Sequence, residues 1–411
     1  MRILLIHQFF LEDNAGGGAR WNEMSRIWTE SGHEITVLAG MTHYMDNRSS
    51  RYVGKYFHEE VNKDKIRVIR CFSGKVNGCF MSRLWSYFSF AFSGIIAGLF
   101  YATDRYDVII VSSPPLFIGI AGIFLSWWKN IPFVFEVRDL WPESAIDMGL
   151  LKNKQLIRLS YRFESLIYKR ASLINVLTPA FRAVLVEQKA ISPDKIIFIP
   201  NASDFTISEN LFSGFDSRSF RKLHDLEGKF VIIYVGAHGI ANHLIQILDT
   251  AGLLRDTRVL FLFIGDGAEK GMLKKETVRR KLENVRFIDS MPKTEVFKFI
   301  LASDMGTSVL KKTDTFKTIY SNKTFDYFSC KKAVLLAIDG ISRVLIEKAD
   351  AGIFVEPENP ADFAKKIRFY LNNPEWTIKQ GENGYLYAKN HFDREVLAIK
   401  YLNYIREIGK H

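Results

Sequence analysis

Short runs of apolar, largely β-branched residues recur along this chain, and most are followed by a longer stretch with helical periodicity. Val108-Ile-Ile-Val111 and Val231-Ile-Ile-Tyr-Val235 are typical of these runs. Strands with apolar residues on both sides are covered on both faces, and strands that alternate with helices pair in parallel. The pattern therefore predicts an α/β protein built on doubly covered parallel sheets.

The predicted strands fall into two groups, separated by a polar and weakly periodic stretch at residues 203–225. The first group is Ile3–Ile6, Glu34–Leu38, Ile66–Ile69, Val108–Val111, Phe133–Glu136 and Leu173–Val176. The second group is Val231–Val235, Arg258–Ile264, Val285–Ile288, Met305–Val309 and Ala333–Ala337. A chain of 411 residues is too long for one ordinary core,. We therefore predict two Rossmann-like domains, residues 1–203 and 204–384, with a helical tail of about 385–411 packing back on the first.

The composition is that of a folded protein, with 47% apolar and 25% charged residues,. Cys71, Cys79 and Cys330 are far apart and form no CxxC pair, which predicts ordinary thiols in a reducing compartment and no metal site,. The apolar run in Met1–His7 is too short for a secretory signal. We interpret it as a buried first strand and expect a cytoplasmic protein. Separately, we expect no bound cofactor.

The formal net charge of +11 points to anionic partners. No motif of a nucleic-acid recognition module accompanies this charge, so we expect no nucleic-acid partner. An anionic membrane surface or phosphate-bearing substrates explain the charge instead.

An aromatic-rich stretch, Phe80–Tyr101, has no charge over its central part and approaches the roughly 20 residues that span a bilayer,. Three interpretations stay open: a buried core helix, a helix half-sunk in the membrane interface, and a true span. The strand Val108–Val111 just downstream argues against a span, because a crossing between strands of one sheet is topologically costly. Arg83 and Arg105 at the two ends suit an interfacial helix at the inner face of the membrane. A second apolar stretch, 116–128, ends in two tryptophans and has the same character.

Three consecutive glycines follow the first predicted strand, within Asn14–Arg20. Bare backbone amides at a helix start suit a phosphate or a sugar hydroxyl. The alternative is a flexible loop without a ligand. The spacing is not GxGxxG, and the region about 20 positions on, Thr36–Leu38, lacks the acidic residue of a nicotinamide dinucleotide site,.

Charged and aromatic side chains crowd the end of the strand predicted at Phe133–Glu136. They are Glu136, Arg138, Asp139, Trp141 and Glu143. Charged groups are seldom left unpaired where a sheet meets its ligand cleft, so this cluster predicts a functional site. The alternative is a structural Arg138–Asp139 pair capped by Trp141.

Two glycine-containing turns follow neighbouring strands of the second half. Gly236 and Gly239 flank His238 in a turn that leads into a helix, and both allow close backbone approach to a phosphate,. Gly265-Asp-Gly267 ends the next strand. A Gly-Asp-Gly turn is common, and its value lies in sharing a sheet edge with the other loops.

The segment 319–328 carries a lysine and an aspartate three positions apart. If a helix begins at Asn322, then Lys323 and Asp326 share a face,. A lysine suits a diphosphate, and an aspartate suits vicinal ribose hydroxyls. The alternative is a surface salt bridge worth roughly a few tenths of a kcal/mol.

Taken in order, these segments resemble glycosyltransferase family 4, and within it the bacterial O-antigen and capsule group that includes proposed N-acetyl-L-fucosamine transferases. The residues that carry the resemblance are Gly16–Gly18, Glu136–Ser144, Leu177–Pro179, Ile199–Phe205, Gly236–Ala241, Gly265–Gly267 and Ser321–Tyr327. The string Arg138-Asp-Leu-Trp-Pro-Glu-Ser144 is specific, whereas the glycine turns are not.

The resemblance implies a GT-B fold, in which two Rossmann-like domains face each other across a cleft. It also implies retention of anomeric configuration, no metal, a UDP-sugar donor on the C-terminal domain and a polyprenyl-diphosphate-linked sugar acceptor on the N-terminal domain. The implied donor-binding residues are Gly17, Gly18, Gly236, His238, Gly239, Gly265, Gly267, Lys323 and Asp326. The implied acceptor-binding residues are Arg20, Glu136, Trp141 and Glu143. Arg138 and Asp139 are expected to be catalytic, because they stand where relatives have a His-Asp pair that contacts the transferred sugar.

The sequence departs from this family at one position. Many relatives carry two glutamates eight positions apart, and the corresponding residues here are Thr318 and Asp326. A threonine cannot reproduce the contact of a carboxylate with the sugar, so we interpret the departure as a change in donor specificity. The alternative from another class is a nucleotide-binding or membrane-associated homologue without activity.

Overall fold

The structure, a computed structural model, describes residues 1–13, 15, 17–42, 50–75 and 80–409; Cys79 therefore lies outside the described residues. The chain divides into two compact units. The first consists of Met1–Asp13, Ala19–Pro200 and Glu395–His411, and the second of Asn14–Gly18 and Asn201–Arg394. The division falls three residues before the predicted boundary, and the tail begins later than predicted. The backbone N–H of Ser203 donates to the Phe392 carbonyl and that of Arg394 donates to the Ser203 carbonyl, both at 2.9 Å. These bonds join the two ends of the segment Asn201–Arg394 and keep both ends in the second unit.

The first unit is built on an eight-stranded sheet in the order β3-β4-β2-β1-β5-β6-β7-β8. The strands are β1 Arg2–Ile6, β2 Glu34–Gly40, β3 Phe57–Val61, β4 Arg67–Cys71, β5 Val108–Ser112, β6 Phe133–Val137, β7 Leu173–Val176 and β8 Ile196–Phe198. All neighbouring strands are parallel except β3 and β4. The predicted parallel sheet is confirmed. The edge strand β3 was not predicted, because its sequence is largely polar and half-exposed,.

In the described ranges of the first unit, six α-helices lie between these strands or follow them. They are α1 Arg20–Glu30, α2 Phe80–Phe100, α3 Gly119–Lys129, α4 Glu143–Asp147, α5 Lys154–Arg170 and α6 Pro179–Ala183. Close approach at glycines packs α2, α3 and α5 side by side. A Cβ on Gly98 of α2 would lie 2.4 Å from Leu125 of α3, and one on Gly119 of α3 would lie 2.4 Å from Ile167 of α5. Along the described part of the chain, no helix combines the length and apolar character that a membrane crossing requires.

The second unit is built on a six-stranded parallel sheet in the order β11-β10-β9-β12-β13-β14. The strands are β9 Phe230–Val235, β10 Val259–Ile264, β11 Val285–Ile288, β12 Met305–Val309, β13 Ala333–Ala337 and β14 Gly352–Phe354. Apolar side chains from both faces of this sheet are buried, which explains the continuous apolar runs in the sequence,. The two-domain α/β fold with Rossmann-like sheets is confirmed.

Among the described residues of the second unit, nine α-helices surround the sheet. They are α7 Phe205–Phe212, α8 Ser217–Leu223, α9 Ile245–Gly252, α10 Lys270–Arg279, α11 Lys293–Ala302, α12 Asn322–Ser329, α13 Ile341–Ala349, α14 Pro360–Asn372 and α15 Glu375–His391. The stretch 203–225 thus forms two short helices where the sequence analysis found only weak periodicity. Asp204 and Asp216 cap them by accepting backbone hydrogen bonds from their first turns,.

The last helix, α16 Arg394–Ile408, returns the chain to the first unit. Nε1 of Trp28 in α1 donates a 2.8 Å hydrogen bond to the carbonyl of Ala398. The ring of Tyr401 packs against Trp28 and Trp21, with centroids 5.7 and 6.1 Å apart. These buried aromatic contacts fix the tail on α1.

Candidate functional site

Two loops lie side by side at the carboxyl edge of the second sheet, where β9 and β10 end. The backbone N–H of His238 donates to the carbonyl of Asp266 at 2.8 Å. Gly265 and Gly267 have φ angles of +144° and +155°, and a Cβ on them would lie 2.0 Å from the Gly236 carbonyl and 2.6 Å from that of His238. Only glycine permits this backbone-to-backbone packing. Gly265 and Gly267 therefore shape the loop, and their contact with a donor stays a prediction.

Lys323 lies beside the first of these loops. Its Nζ is 4.9 Å from the centroid of the Tyr234 ring and 4.0 Å from the place a Cβ on Gly236 would take. Burial lowers the pKa of Lys323 to about 8, although the nearby carboxylate of Asp326 opposes the shift,. Within the described residues, no acceptor lies within hydrogen-bond distance of this ammonium group. A shielded cation beside a glycine loop is an anion-binding arrangement.

Asp326 faces a different partner from the one that the spacing suggested. Its carboxylate pairs with Nζ of Lys293, the first residue of α11, at 3.1 Å. The alternative of a Lys323–Asp326 salt bridge is therefore wrong, since the two side chains turn to different neighbours. The predicted roles of Lys323 at a diphosphate and of Asp326 at a ribose stay predictions.

His238 has no exposed surface in this structure, and its predicted contact with the donor stays a prediction. Its ring lies among Tyr234, Phe263 and Phe287, with centroid distances of 5.9 to 6.1 Å. Burial and the charge of Lys270 lower the pKa of His238 to about 4, so the ring is neutral at pH 7,. His238 supports the loop from beneath.

Lys270, which the sequence analysis did not identify, joins the loops after β10 and β11. Its Nζ donates to the Gly265 carbonyl at 2.7 Å and to Oδ1 of Asp289 at 2.5 Å. Its position just after the Gly-Asp-Gly turn was the only signal in the sequence. Gly239, in contrast, has room for a Cβ, whose closest contact would be Asn242 at 3.8 Å. Its donor contact stays a prediction.

The glycine loop near the N-terminus is described only in part, since Asn14 and Gly16 lie outside the described residues. Gly17 has a φ of +150°, and a Cβ on Gly18 would meet nothing within 4 Å. Both residues are exposed and belong to the second unit. Their open backbone is compatible with the predicted contact with a donor, which stays a prediction.

Arg20 and Glu136 form a buried ion pair in the first unit, with side chains that are 2% and 0% exposed. Nε and Nη2 of Arg20 donate to the Glu136 carboxylate at 3.0 to 3.3 Å. Its remaining donors reach the carbonyls of Ile199 and Pro200 at 2.9 and 2.6 Å, and Asn175 donates to Glu136 at 2.9 Å. The polar groups of both residues are shielded and already paired, and their predicted contact with the acceptor stays a prediction. The pair joins α1, β6 and the segment after β8.

Arg138 and Asp139 follow β6 directly, and both are partly exposed. The backbone N–H of Arg138 donates to Oγ of Ser113 at 3.3 Å. Oγ of Ser144 donates to the Asp139 carboxylate at 2.7 Å. Burial raises the pKa of Asp139, and the Ser144 hydrogen bond opposes this shift,. The two side chains thus stand at the carboxyl edge of the sheet, and their catalytic role stays a prediction.

Trp141 belongs to a cluster of partly exposed rings. Its ring centroid lies 5.3 Å from that of Phe117, which in turn lies 4.3 Å from Phe88 of α2 and 5.9 Å from Phe163 of α5. The cluster places an apolar surface next to Asp139. The predicted contact of Trp141 with the acceptor stays a prediction.

Glu143 is held by a lysine that is distant in sequence. Nζ of Lys189 lies 2.7 Å from Glu143 and 2.6 Å from Glu164, whose carboxylate also accepts from the Tyr168 hydroxyl at 2.9 Å. Burial raises the pKa of Glu164 to about 7 despite the opposing charge of Lys189. No motif links these residues, so the sequence analysis missed Lys189 and Glu164. The acceptor contact of Glu143 stays a prediction.

Over the residues described, no group of three His, Cys, Asp or Glu side chains is arranged to hold a metal ion. Metal independence nonetheless stays a prediction. Thr318, the residue that departs from the family pattern, donates from Oγ1 to the Thr315 carbonyl at 2.6 Å. Its hydroxyl closes a local turn.

Two sequence families match the two halves of the chain. The family described as "Glycosyl transferase 4-like domain" matches residues 15–202, and the one described as "Glycosyl transferases group 1" matches residues 216–390. "Probable glycosyltransferase WbjE" of Pseudomonas aeruginosa is 25% identical over 268 residues, which are 64% of this chain and 66% of the relative. "Putative colanic acid biosynthesis glycosyl transferase WcaI" of Escherichia coli K12 is 22% identical over 424 residues, covering 99% and 100% of the two chains.

Solved structures share the fold at low sequence identity. HepE of Anabaena in complex with UDP-glucose superposes with a TM-score of 0.74 at 16% identity, covering 99% of this chain and 100% of that chain. WaaG, a glycosyltransferase involved in lipopolysaccharide biosynthesis, superposes with a TM-score of 0.69 at 15% identity, covering 98% and 99%. These likenesses establish the fold.

Proposed function

The chain belongs to glycosyltransferase family 4 and has the GT-B fold, and from this premise we propose that it is a retaining enzyme that transfers a sugar from a UDP-sugar to a lipid-linked oligosaccharide. The product belongs to a bacterial surface polysaccharide, such as an O-antigen, a capsule or an exopolysaccharide. The names of WcaI and WaaG, which refer to colanic acid and lipopolysaccharide biosynthesis, support this assignment. The complexes of HepE with UDP and UDP-glucose support the choice of donor.

The observation that carries the proposal is the position of Lys323. Its ammonium group has no acceptor within the described residues and lies beside the Gly236 loop at the carboxyl edge of a parallel sheet. Ligands of such sheets bind at this edge. We assign Lys323 and the backbone amides of the loop to the donor diphosphate, and Asp326 to the ribose.

In the proposed reaction, the bond between the sugar C1 and the diphosphate oxygen breaks while an acceptor hydroxyl forms the new bond on the same face. The hydroxyl proton passes to the departing phosphate oxygen. Lys323 stabilises the negative charge that develops on the leaving diphosphate, so no metal is required. Asp139 orients the sugar, and Arg138 binds a phosphate of the donor or the acceptor.

We propose that the acceptor is a polyprenyl-diphosphate-linked sugar bound by the first unit. Trp141 and Glu143 contact its saccharide, and the partly exposed ring cluster around Phe117 offers an apolar surface beside them. The net charge of +11 supports work at an anionic membrane surface, with the protein bound peripherally to the inner face of the cytoplasmic membrane,.

For the donor sugar we propose an N-acetylated deoxyhexosamine such as N-acetyl-L-fucosamine. The support is the resemblance to the O-antigen group and the presence of Thr318 where many relatives carry a glutamate. A threonine offers no carboxylate at this position to bind sugar hydroxyls. The hydroxyl of Thr318 donates instead to the Thr315 carbonyl.

A transfer assay with a panel of UDP-sugars and GDP-sugars tests the proposal. The acceptor is a sugar diphosphate on a short, water-soluble prenyl chain, and NMR of the product reports the anomeric configuration. We expect transfer from one UDP-sugar with retention, and a strong loss of transfer in Lys323→Ala but not in Lys348→Ala, which removes an exposed lysine of the same unit. UDP binding without transfer or hydrolysis of any sugar would identify a non-catalytic homologue instead.

A further inference from the structure

The outer faces of α2, α3 and α5 expose large apolar side chains. On α2 they follow helical spacing and form one stripe: Met81, Trp85, Phe88, Phe92 and Phe100,. On α3 they are Ile120, Trp127 and Trp128. Trp85, Phe92, Trp127 and Trp128 are each 60 to 70% exposed. Because the three helices pack side by side through Gly98 and Gly119, their outer faces form one continuous surface, which we call the docking face.

The part of the docking face on α5 is cationic. Its exposed basic residues are Lys154, Arg158, Arg162, Lys169 and Arg170. The only carboxylate in the three helices is Glu164, which is buried. In the part of the chain that the structure describes, none of the five basic side chains has an ion-pair partner. Several of them line a surface groove of about 720 Å³.

This combination selects among the possible occupants of the face. A second copy of the chain would bring the cations of α5 against each other, because the face offers no exposed carboxylate to pair with them. A neutral apolar partner would leave the cations of α5 without counter-charges. An anionic lipid bilayer matches both the apolar part of the face on α2 and α3 and the cationic part on α5. Tryptophans lie at the level of the lipid headgroups, and lipid phosphates pair with arginine and lysine.

We propose that the docking face seats the first unit on an anionic bilayer, with α5 binding the headgroups and the exposed rings of α2 and α3 inserting between them. The inference deepens the proposed function and rests on it in one respect: a lipid-linked acceptor is presented at such a surface. It also places the carboxyl edge at Trp141 next to the docking face, because the Phe117 cluster joins Trp141 to α2 and α5.

Co-sedimentation with vesicles tests the proposal on the full chain. We expect the protein to bind vesicles that contain phosphatidylglycerol much more tightly than vesicles of phosphatidylcholine alone. The double variant Arg158→Gln, Arg162→Gln should bind about 30-fold more weakly, since each cation near an anionic surface strengthens binding about 5-fold. The matched control Lys348→Gln, Lys365→Gln removes two exposed lysines of the second unit and should bind like the unaltered protein.

A second pair of variants tests the aromatic part. At high salt, where charges are screened, we expect the double variant Trp127→Ser, Trp128→Ser to lose the vesicle binding that the unaltered protein keeps. The control Ile378→Ser, Leu386→Ser removes two exposed apolar side chains of the second unit and should keep this binding. Circular dichroism and thermal melts establish that each variant is folded. Equal binding of the arginine variant and the unaltered protein, or equal binding to neutral and anionic vesicles, would overturn the proposal.

The same variants separate this inference from the proposed function. With the short-chain, water-soluble acceptor, the docking variants should transfer sugar at the unaltered rate, while transfer to an acceptor embedded in anionic vesicles should fall with their binding. If no sugar is transferred by any form but the pattern of vesicle binding holds, then the proposed function fails and the docking face stands.

Discussion

Nζ of Lys323 lies 4.9 Å from the centre of the Tyr234 ring, and no acceptor of the described residues satisfies it. The Tyr234 hydroxyl meanwhile donates to the Ala237 carbonyl at 2.8 Å. The ring thus holds the loop after β9 and the lysine in one place. A cation that packs against an aromatic face is pre-organised for an anion and needs little rearrangement to bind one.

The charge on Lys323 makes donor binding depend on pH. Its pKa is lowered to about 8, so the cation is present below this pH and is lost as the pH rises through it. We expect the affinity for UDP to be constant near neutrality and to fall above about pH 8. Lys323→Arg keeps a charge at all these values and should bind with an affinity that does not change with pH. Calorimetric titrations at several pH values check both expectations, and parallel curves for the two proteins would contradict them.

Gly265 is required by the packing of one loop on another. In Gly265→Ala the Cβ would lie 2.0 Å from the Gly236 carbonyl, at a φ of +144°. We expect a loss of at least about 1–3 kcal/mol in the free energy of unfolding, together with weaker UDP binding. Gly271→Ala in α10 is the control, because a Cβ there meets nothing within 4 Å. It should leave stability unchanged or raise it by up to about 1 kcal/mol. Urea unfolding measures both.

The buried pair of Arg20 and Glu136 should be structural. Arg20→Met leaves the Glu136 carboxylate uncompensated in the core, and we expect a cost of about 3–5 kcal/mol,. Adding Glu136→Gln removes the stranded charge and should restore part of that stability. A double-mutant cycle by chemical unfolding checks this. Two single-site costs that simply add would show that the residues do not interact.

Glu164 should make stability fall with rising pH. Its folded pKa of about 7 lies above the ordinary value of 4.5, so the folded state binds the proton more tightly than the unfolded state. Its contribution to stability is therefore present at low pH and is lost as the pH rises through about 7. Glu164→Gln lacks this titration, so the variant should gain stability relative to the unaltered protein between about pH 5 and pH 8. Thermal melts across that range give the sign, and a relative loss would contradict it.

The sequence predicted the parallel strands well because both faces of each are buried. Val108–Val111 differs from β5 by one residue, and Val231–Val235 differs from β9 by one residue. The edge strand β3 escaped prediction because half-exposed residues carry no apolar run. Local patterns therefore revealed the elements that form the interior of each sheet.

The individual site residues were harder to assign, because their partners are distant in sequence. Glu136 stands at a strand end beside other charged residues, where it suggested a ligand contact. Arg20 comes from 116 residues away to pair with it in the core. His238 likewise lies in a glycine loop, but rings from β9, β10 and β11 enclose it. A single sequence shows which residues can bind a ligand, and tertiary packing decides which of them stay accessible.

The central claim is that Lys323 marks the donor diphosphate site, and calorimetric titration of UDP at neutral pH tests it most directly. The account predicts binding to the unaltered protein and to Lys348→Ala, and an affinity about 10- to 100-fold weaker for Lys323→Ala, as is typical when a charged hydrogen-bond donor is removed. Equal affinities for all three proteins would contradict the account and place the nucleotide elsewhere.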